Sequence, residues 1–329
     1  MQSCLVKYII FAALLFVESV MINRVLIRTK VLQMVYACHQ NNNNENPAKA
    51  EKELFFSLEK TYDLYLYLLL LVSDIGYYAE RRIDMARGKY LPSPEEQNPN
   101  LRFVNNAFLA QLRQNTTFKR EINNRKLSWA PHEGLIKNIY DQILVAPFYI
   151  EYMQAESNSY EADKEVWRKI FKQIIQNNSY LEEVLEEKSI YWNDDLDIVL
   201  TFVLKTVKRF EQSNGANQAL LPMYRDESDR QYALDLFRAS IKNAEEYRSM
   251  ITKAVQNWEL ERLALMDLII LQVALAEIME IKDIPLSVSF NEYIDIAKSY
   301  STEKSSLFIN GTLDHIVREL KKENKLFKV

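Results

Sequence analysis

Glycine is scarce in this chain: five occur in 329 residues, at Gly76, Gly88, Gly134, Gly215 and Gly311, and no two stand together. That excludes the glycine-rich phosphate cradles, both the dinucleotide fingerprint and the P-loop. It also argues against large all-β folds, which need many tight turns. The only cysteines, Cys4 and Cys38, build neither a disulfide framework nor a zinc site. His39, His132 and His315 are scattered singly and fit no ligand spacing. No metal and no cofactor is expected. The formal charge is −4, so nucleic acid gains no general attraction and any contact with it has to be local. What remains is an ordinary globular balance, 48% apolar and 26% charged, long enough for one or two domains.

The first twenty residues need a separate reading. Lys7 precedes an apolar run, Tyr8 to Val17, of signal-peptide length and too short to span a bilayer. The run ends in Glu18-Ser19-Val20 without a small-residue cleavage site, and Met21 then opens a basic amphipathic segment. Residues 1–20 read either as a signal-like segment or as a mis-called start with Met21 the initiator, and the family resemblance of the first helix given below favours the second. A start at Met21 implies a cytoplasmic protein.

Helical periodicity covers nearly everything else. It predicts helices over 22–40, 50–84, 101–114, 133–156, 163–188, 194–211, 229–256, 259–281, 286–300 and 303–322. Asn41 to Pro47, Leu91 to Asn100 and Ser213 to Pro222 read as loops, the second carrying Pro92, Pro94 and Pro99. Strand-like alternation is nowhere sustained, so the fold is expected to be all-α. Segment 160–192 can be laid on 226–258, with identities at Glu161/Glu227, Asp163/Asp229, Phe171/Phe237, Ile175/Ile241, Asn177/Asn243 and Trp192/Trp258. This makes 160–225 a candidate decayed repeat of 226–291, with Asp163 and Asp229 as helix N-caps.

The chain from Trp258 onward resembles the C-terminal half of the NusB family of transcription antitermination factors. The matching elements are Glu261-Arg262-Leu263, Asp267, Leu271, Glu277, Ile284-Pro285, Asn291-Glu292, Ala297-Lys298, Phe308-Ile309-Asn310-Gly311 and Leu313-Asp314. The first helix matches through Arg28, Gln33 and Tyr36. The resemblance implies a pair of three-helix bundles made from 21–40 and 226–322, with a helical insertion at 41–225 and a basic tail at 323–329. It implies a protein that binds boxA-type ribosomal leader RNA together with NusE, a small-subunit ribosomal protein. Through these it would act indirectly on the RNA polymerase elongation complex and suppress termination, without membrane contact.

Each motif also has a purely structural reading. Pro285 suits a helix start, Gly311 a close helix approach or bend, and Asp267 a satisfied buried hydrogen bond. Asn291 and Glu292 suit caps and ties between helices. Asp267, the tempting catalytic carboxylate, is accompanied by no base, nucleophile or metal partner, and no enzyme is expected. For RNA, the residues themselves offer Arg24, Arg28 and Lys30 on a first helix that carries no acid. Phe308 is either core or a base-stacking aromatic. The resemblance places Arg28 and Phe308 at RNA-facing positions, and Tyr36 and Glu261 at positions facing NusE. Lys304 stands where the family commonly has an acid between the last two helices, which implies a changed protein or RNA contact nearby. The alternative function is a protein–protein scaffold that keeps NusE while the insertion binds something else.

Overall fold

The computed structural model describes residues 20–41, 46–255, 263–302, 304–326 and 328. Among these residues every regular element is helical. The chain divides into two compact units, one made of residues up to Leu58 plus Met223 onward, the other of Glu59–Pro222. The resemblance sets the insertion at 41–225, and the Glu59–Pro222 unit lies inside those limits.

Helix α1, Arg24–Gln40, starts where the Asn23 side chain accepts from Leu26 N at 3.0 Å, satisfying a backbone donor the helix leaves open. Helix α2, Pro47–Arg87, follows, and its residues up to Leu58 belong to the first unit.

The Glu59–Pro222 unit is built around the rest of α2. Leu64 to Val72 is buried on every side, as a helix apolar all round has to be. Around it stand α3 (Ala107–Gln114), α4 (Thr116–Arg125), α5 (Glu133–Val145), α6 (Pro147–Gln154), α7 (Tyr160–Ile170), α8 (Ser179–Lys188) and α9 (Leu196–Arg209). Tyr67 stacks on Trp129 at 3.7 Å between centroids, and the Trp129 Nε1 donates to Tyr67 O at 2.9 Å. Gly76 permits a close crossing, since a Cβ there would lie 2.6 Å from Leu109.

Three long periodic stretches break where the sequence suggested continuity. Segment 133–156 divides at Ala146-Pro147, because Pro147 cannot continue α5 and instead occupies the first turn of α6. Segment 163–188 divides after a π turn at Phe171–Ile175, and Asn178 then caps α8 by accepting from Leu181 N at 2.9 Å. Segment 229–256 divides at Asn243. Helix α4 has no counterpart in the periodicity because it buries Phe118 alone, held by the Asn115 cap on Phe118 N at 2.8 Å. The expected caps of the repeat are also corrected. Ser159 and Asp226 are the N-caps, while Asp163 and Asp229 lie inside the first turns. Asp163 accepts from Ala107 N and the Tyr152 hydroxyl, both at 2.6 Å, so its carboxylate joins three elements rather than ending one.

The first unit continues with α10 (Glu227–Lys242), α11 (Ala244–Ala254), α12 (Leu265–Glu280), α13 (Leu286–Tyr300) and α14 (Ser305–Lys322). Helices α1, α10 and α12 pack mutually, and so do α12, α13 and α14, with α11 against α12 and α14. Both packed triplets thus share α12, which is buried from Ile269 to Ile278. On α14 the stripe Ile309, Leu313, Ile316, Val317, Leu320 faces inward at helical spacing. Asp267 ties the α13–α14 corner, accepting from Ser301 Oγ at 2.5 Å and Ser305 Oγ at 2.9 Å. No described helix is long and apolar enough to cross a membrane.

Candidate nucleic-acid interface

The cations of α1 do not share one exposed face. Arg24 is half-buried, its guanidinium 5.0 Å from the centroid of the Tyr232 ring on α10. One turn on, Arg28 is buried. Its Nε and Nη2 donate to the two carboxylate oxygens of Glu277 at 2.7 and 3.1 Å, and Nη1 donates to Glu292 at 3.2 Å. The expectation that Arg28 faces RNA is corrected by this geometry: its fork is spent on two carboxylates inside the fold. Lys30 is buried as well, at 2% exposure, so it does not present its charge on the surface either.

Glu277 is the centre of this arrangement. Besides Arg28 it accepts from the hydroxyls of Tyr232, Ser289 (2.7 Å) and Tyr293 (3.3 Å), gathering α1, α10 and α13 onto α12. Burial pushes its carboxyl up, but the hydrogen bonds and charge of Arg28, with help from Tyr232 and Ser289, hold it below the usual carboxylate range. Both tyrosine hydroxyls are raised well above theirs, by burial first and by the Glu277 charge second. Sequence reasoning quotes Glu277 without a role. The available signal is a lone carboxylate in the apolar run Val273 to Met279, which requires an inward partner.

The remaining predicted residues lie apart from that cluster. Tyr36 is half-buried and its hydroxyl accepts from Gln40 at 2.8 Å. Lys304 is exposed at the start of α14. Glu261 falls outside the described residues. Phe308 is half-buried in the first turn of α14 and lines an open groove of about 920 Å³ between α11 and α14. Gly311 also lines it, and no atom of the described residues lies within 4 Å of where a Cβ would stand, so it does not serve the close approach of a described helix.

Among the exposed cations of the first unit are those on the second half of α14 and beyond. Arg318, Lys322 and Lys325 are 71%, 71% and 62% exposed. Each pairs with a nearby acid, Asp314, Glu319 and Glu323 respectively, and such exposed pairs exchange readily with solvent. Among the described residues no three His, Cys, Asp or Glu side chains gather as metal ligands.

Residues 200–318 match the model of the NusB family. A Salinibacter ruber protein named transcription antitermination protein NusB is 39% identical over 132 residues, which is 38% of this chain and 82% of that one. The Geobacter sulfurreducens protein of the same name is 40% identical over 112 residues, covering 32% of this chain and 81% of that one. One from Chloroherpeton thalassium is 35% identical over 122 residues, 36% of this chain and 58% of that one. The solved structure of T. maritima NusB is 25% identical, covering 48% of this chain and 95% of that one with a TM-score of 0.29.

Proposed function

The chain belongs to the NusB family, and on that premise we propose that it is a transcription antitermination factor. In this reading it holds boxA-type ribosomal leader RNA together with NusE and acts through them on the elongating RNA polymerase, with no catalysis and no cofactor of its own. The observation that carries the reading is the 39% identity to a protein named for antitermination, over 82% of that protein's length.

Arg24 and Phe308 are the proposed RNA contacts, supplemented by the exposed cations Arg318, Lys321 and Lys322 of α14. Tyr36, Glu261 and Lys304 are the proposed contacts with NusE. Since Arg28 and Lys30 are buried, α1 offers RNA a single half-exposed cation, which predicts weak binding by the protein alone and stronger binding with NusE. The same burial is what favours the second reading, a scaffold that holds NusE and leaves RNA to other proteins.

Fluorescence anisotropy of a labelled single-stranded boxA-type RNA, titrated with the full chain with and without NusE, separates the two. The adaptor predicts tighter binding with NusE and affinity that falls steeply with salt. RNA left unbound at low salt even with NusE present removes the adaptor reading and leaves the scaffold.

A further inference from the structure

In the Glu59–Pro222 unit, α2 ends at Arg87 and the chain passes through Gly88 and Lys89 to an apolar pair, Tyr90 and Leu91, which are 98% and 84% exposed. Free to move, such a pair would settle on nearby apolar surface. It is braced on both sides instead. Gly88 N donates to Asp84 O at 3.0 Å, and Lys89 N donates to Ala86 O at 3.4 Å. Beyond the pair, Ser93 and Glu96 form a capping box, and the Lys89 ammonium donates to Glu96 across the turn. Tyr90 and Leu91 are thereby held out as a knob.

The same unit carries an apolar socket of about 350 Å³, with room for a tyrosine or leucine side chain. Its walls include Ile83 of α2, Tyr140 and Leu144 of α5, and Tyr149 and Ile150 of α6. Asn100 also lines it, its amide already spent on Met153 O at 2.8 Å. Ile83 shares a helix face with Arg87 and lies about 6 Å before it along the axis, so the chain leaves α2 for the knob beside the socket. Charge limits what the two accept. Residues 84–96 set Arg87 and Lys89 against Asp84, Glu95 and Glu96, a net negative balance that gains nothing from phosphates. Arg87 and Asp84 precede the knob, Glu151 adjoins Ile150, and Lys137 stands one turn before Tyr140. All four are exposed, and none has an ion pair among the described residues. Knob and socket thus each carry one unpaired charge of either sign, which a second copy supplies with its opposite.

We propose that the Glu59–Pro222 unit is a self-association surface, on which the Tyr90–Leu91 knob of each of two copies of this chain enters the socket of the other. A two-fold axis between a knob and a socket on one molecule sends each knob to the other molecule's socket, and the contact closes at two chains. Bracing lowers the ordering cost of that contact, because the knob is already in the shape it presents. Neither RNA nor NusE takes part in it.

The test is sedimentation velocity of the full chain over a range of concentrations, beside its Tyr90→Asp, Ile150→Arg and Ile190→Asp variants. All three positions are exposed, so the variants keep the fold, which thermal midpoints check. The unmodified chain is expected to show a reversible monomer–dimer equilibrium. Tyr90→Asp and Ile150→Arg are each expected to weaken the dimer at least about thirtyfold, as the loss of a central anchor does. Ile190 is as exposed as the knob's neighbours but lines no part of the socket, and Ile190→Asp is expected to leave the dimer unchanged. An equimolar mixture of Tyr90→Asp and Ile150→Arg keeps one intact knob opposite one intact socket. It is expected to associate more tightly than either variant by itself. A full chain that stays monomeric at its highest soluble concentration overturns the proposal. So does a dimer that survives both Tyr90→Asp and Ile150→Arg, or that falls equally to Ile190→Asp. A mixture no tighter than its two components contradicts the exchange of knobs and overturns it as well.

Discussion

Arg28 of α1 and Glu277 of α12 meet in a two-pronged pair at 2.7 and 3.1 Å, with 3% and 0% of their side chains exposed. The pair anchors the first helix to residues that follow it only after the whole Glu59–Pro222 unit has intervened. A charge pair without water is sustained only if every remaining valence is satisfied, and the three hydroxyls on Glu277 do that.

Removing one member therefore leaves the other buried without its main counter-charge, Arg28 with only Glu292 and Glu277 with only hydroxyls. Glu277→Ala and Arg28→Ala are each expected to destabilise the first unit by about 3–5 kcal/mol. The double change Arg28→Met with Glu277→Leu is expected to recover most of that loss. Urea midpoints of the four proteins measure the outcome. A cost near zero for either single change would remove the anchoring role.

The same pair sets an acid limit. Glu277 titrates below its ordinary value in the folded chain, so its contribution is fully present above the unfolded carboxylate range. It is lost as pH falls through the depressed folded value. The stability of the unmodified protein is expected to drop more steeply on acidification than that of the double variant, followed by helical circular dichroism against pH.

Asp74 gives the opposite slope in the other unit. Burial pushes its carboxyl from 3.8 to about 6, against the charge of Arg113 and a backbone hydrogen bond from Trp129. The unfolded chain ionises first, so stability falls as pH rises from 3.8 to about 6 and is level above that. Asp74→Asn is expected to raise stability at pH 7 by roughly 2 kcal/mol and to change little below pH 4. Equal effects at both pH values would contradict the assignment.

On the RNA side, Arg24→Ala is expected to reduce the salt slope of binding by about one unit, as the loss of one phosphate contact does. Arg28→Lys is expected to act through stability, because an ammonium cannot reproduce the fork on Glu277. Anisotropy titrations at several salt concentrations, set beside thermal midpoints, separate the two effects.

Much of this was legible in the residues. The stripe of α14 and the inward Asp267 follow from periodicity and from the rule that a buried carboxylate needs donors. Arg28 is hard to place from sequence because charge on a first helix looks solvent-facing until its partner, far away in sequence, is set beside it. The break at Pro147 was present in the sequence, yet the apolar periodicity on both sides hid it. At Gly311 close packing is the commoner use of a helical glycine, and only coordinates reveal that no atom of the described residues comes within 4 Å of a Cβ there. The path of the Glu59–Pro222 unit depends on long-range ties such as Tyr65 to Thr206 at 2.7 Å, which no local pattern announces.

The most direct test of the account is transcription itself. A purified elongation reaction on a template with a boxA-type leader and a downstream terminator is run with NusE, with and without this protein, and read-through product is measured. The account predicts that adding the protein raises the read-through fraction only when the boxA-type element is present. Read-through that is unchanged, or raised equally on a template lacking the element, would contradict it.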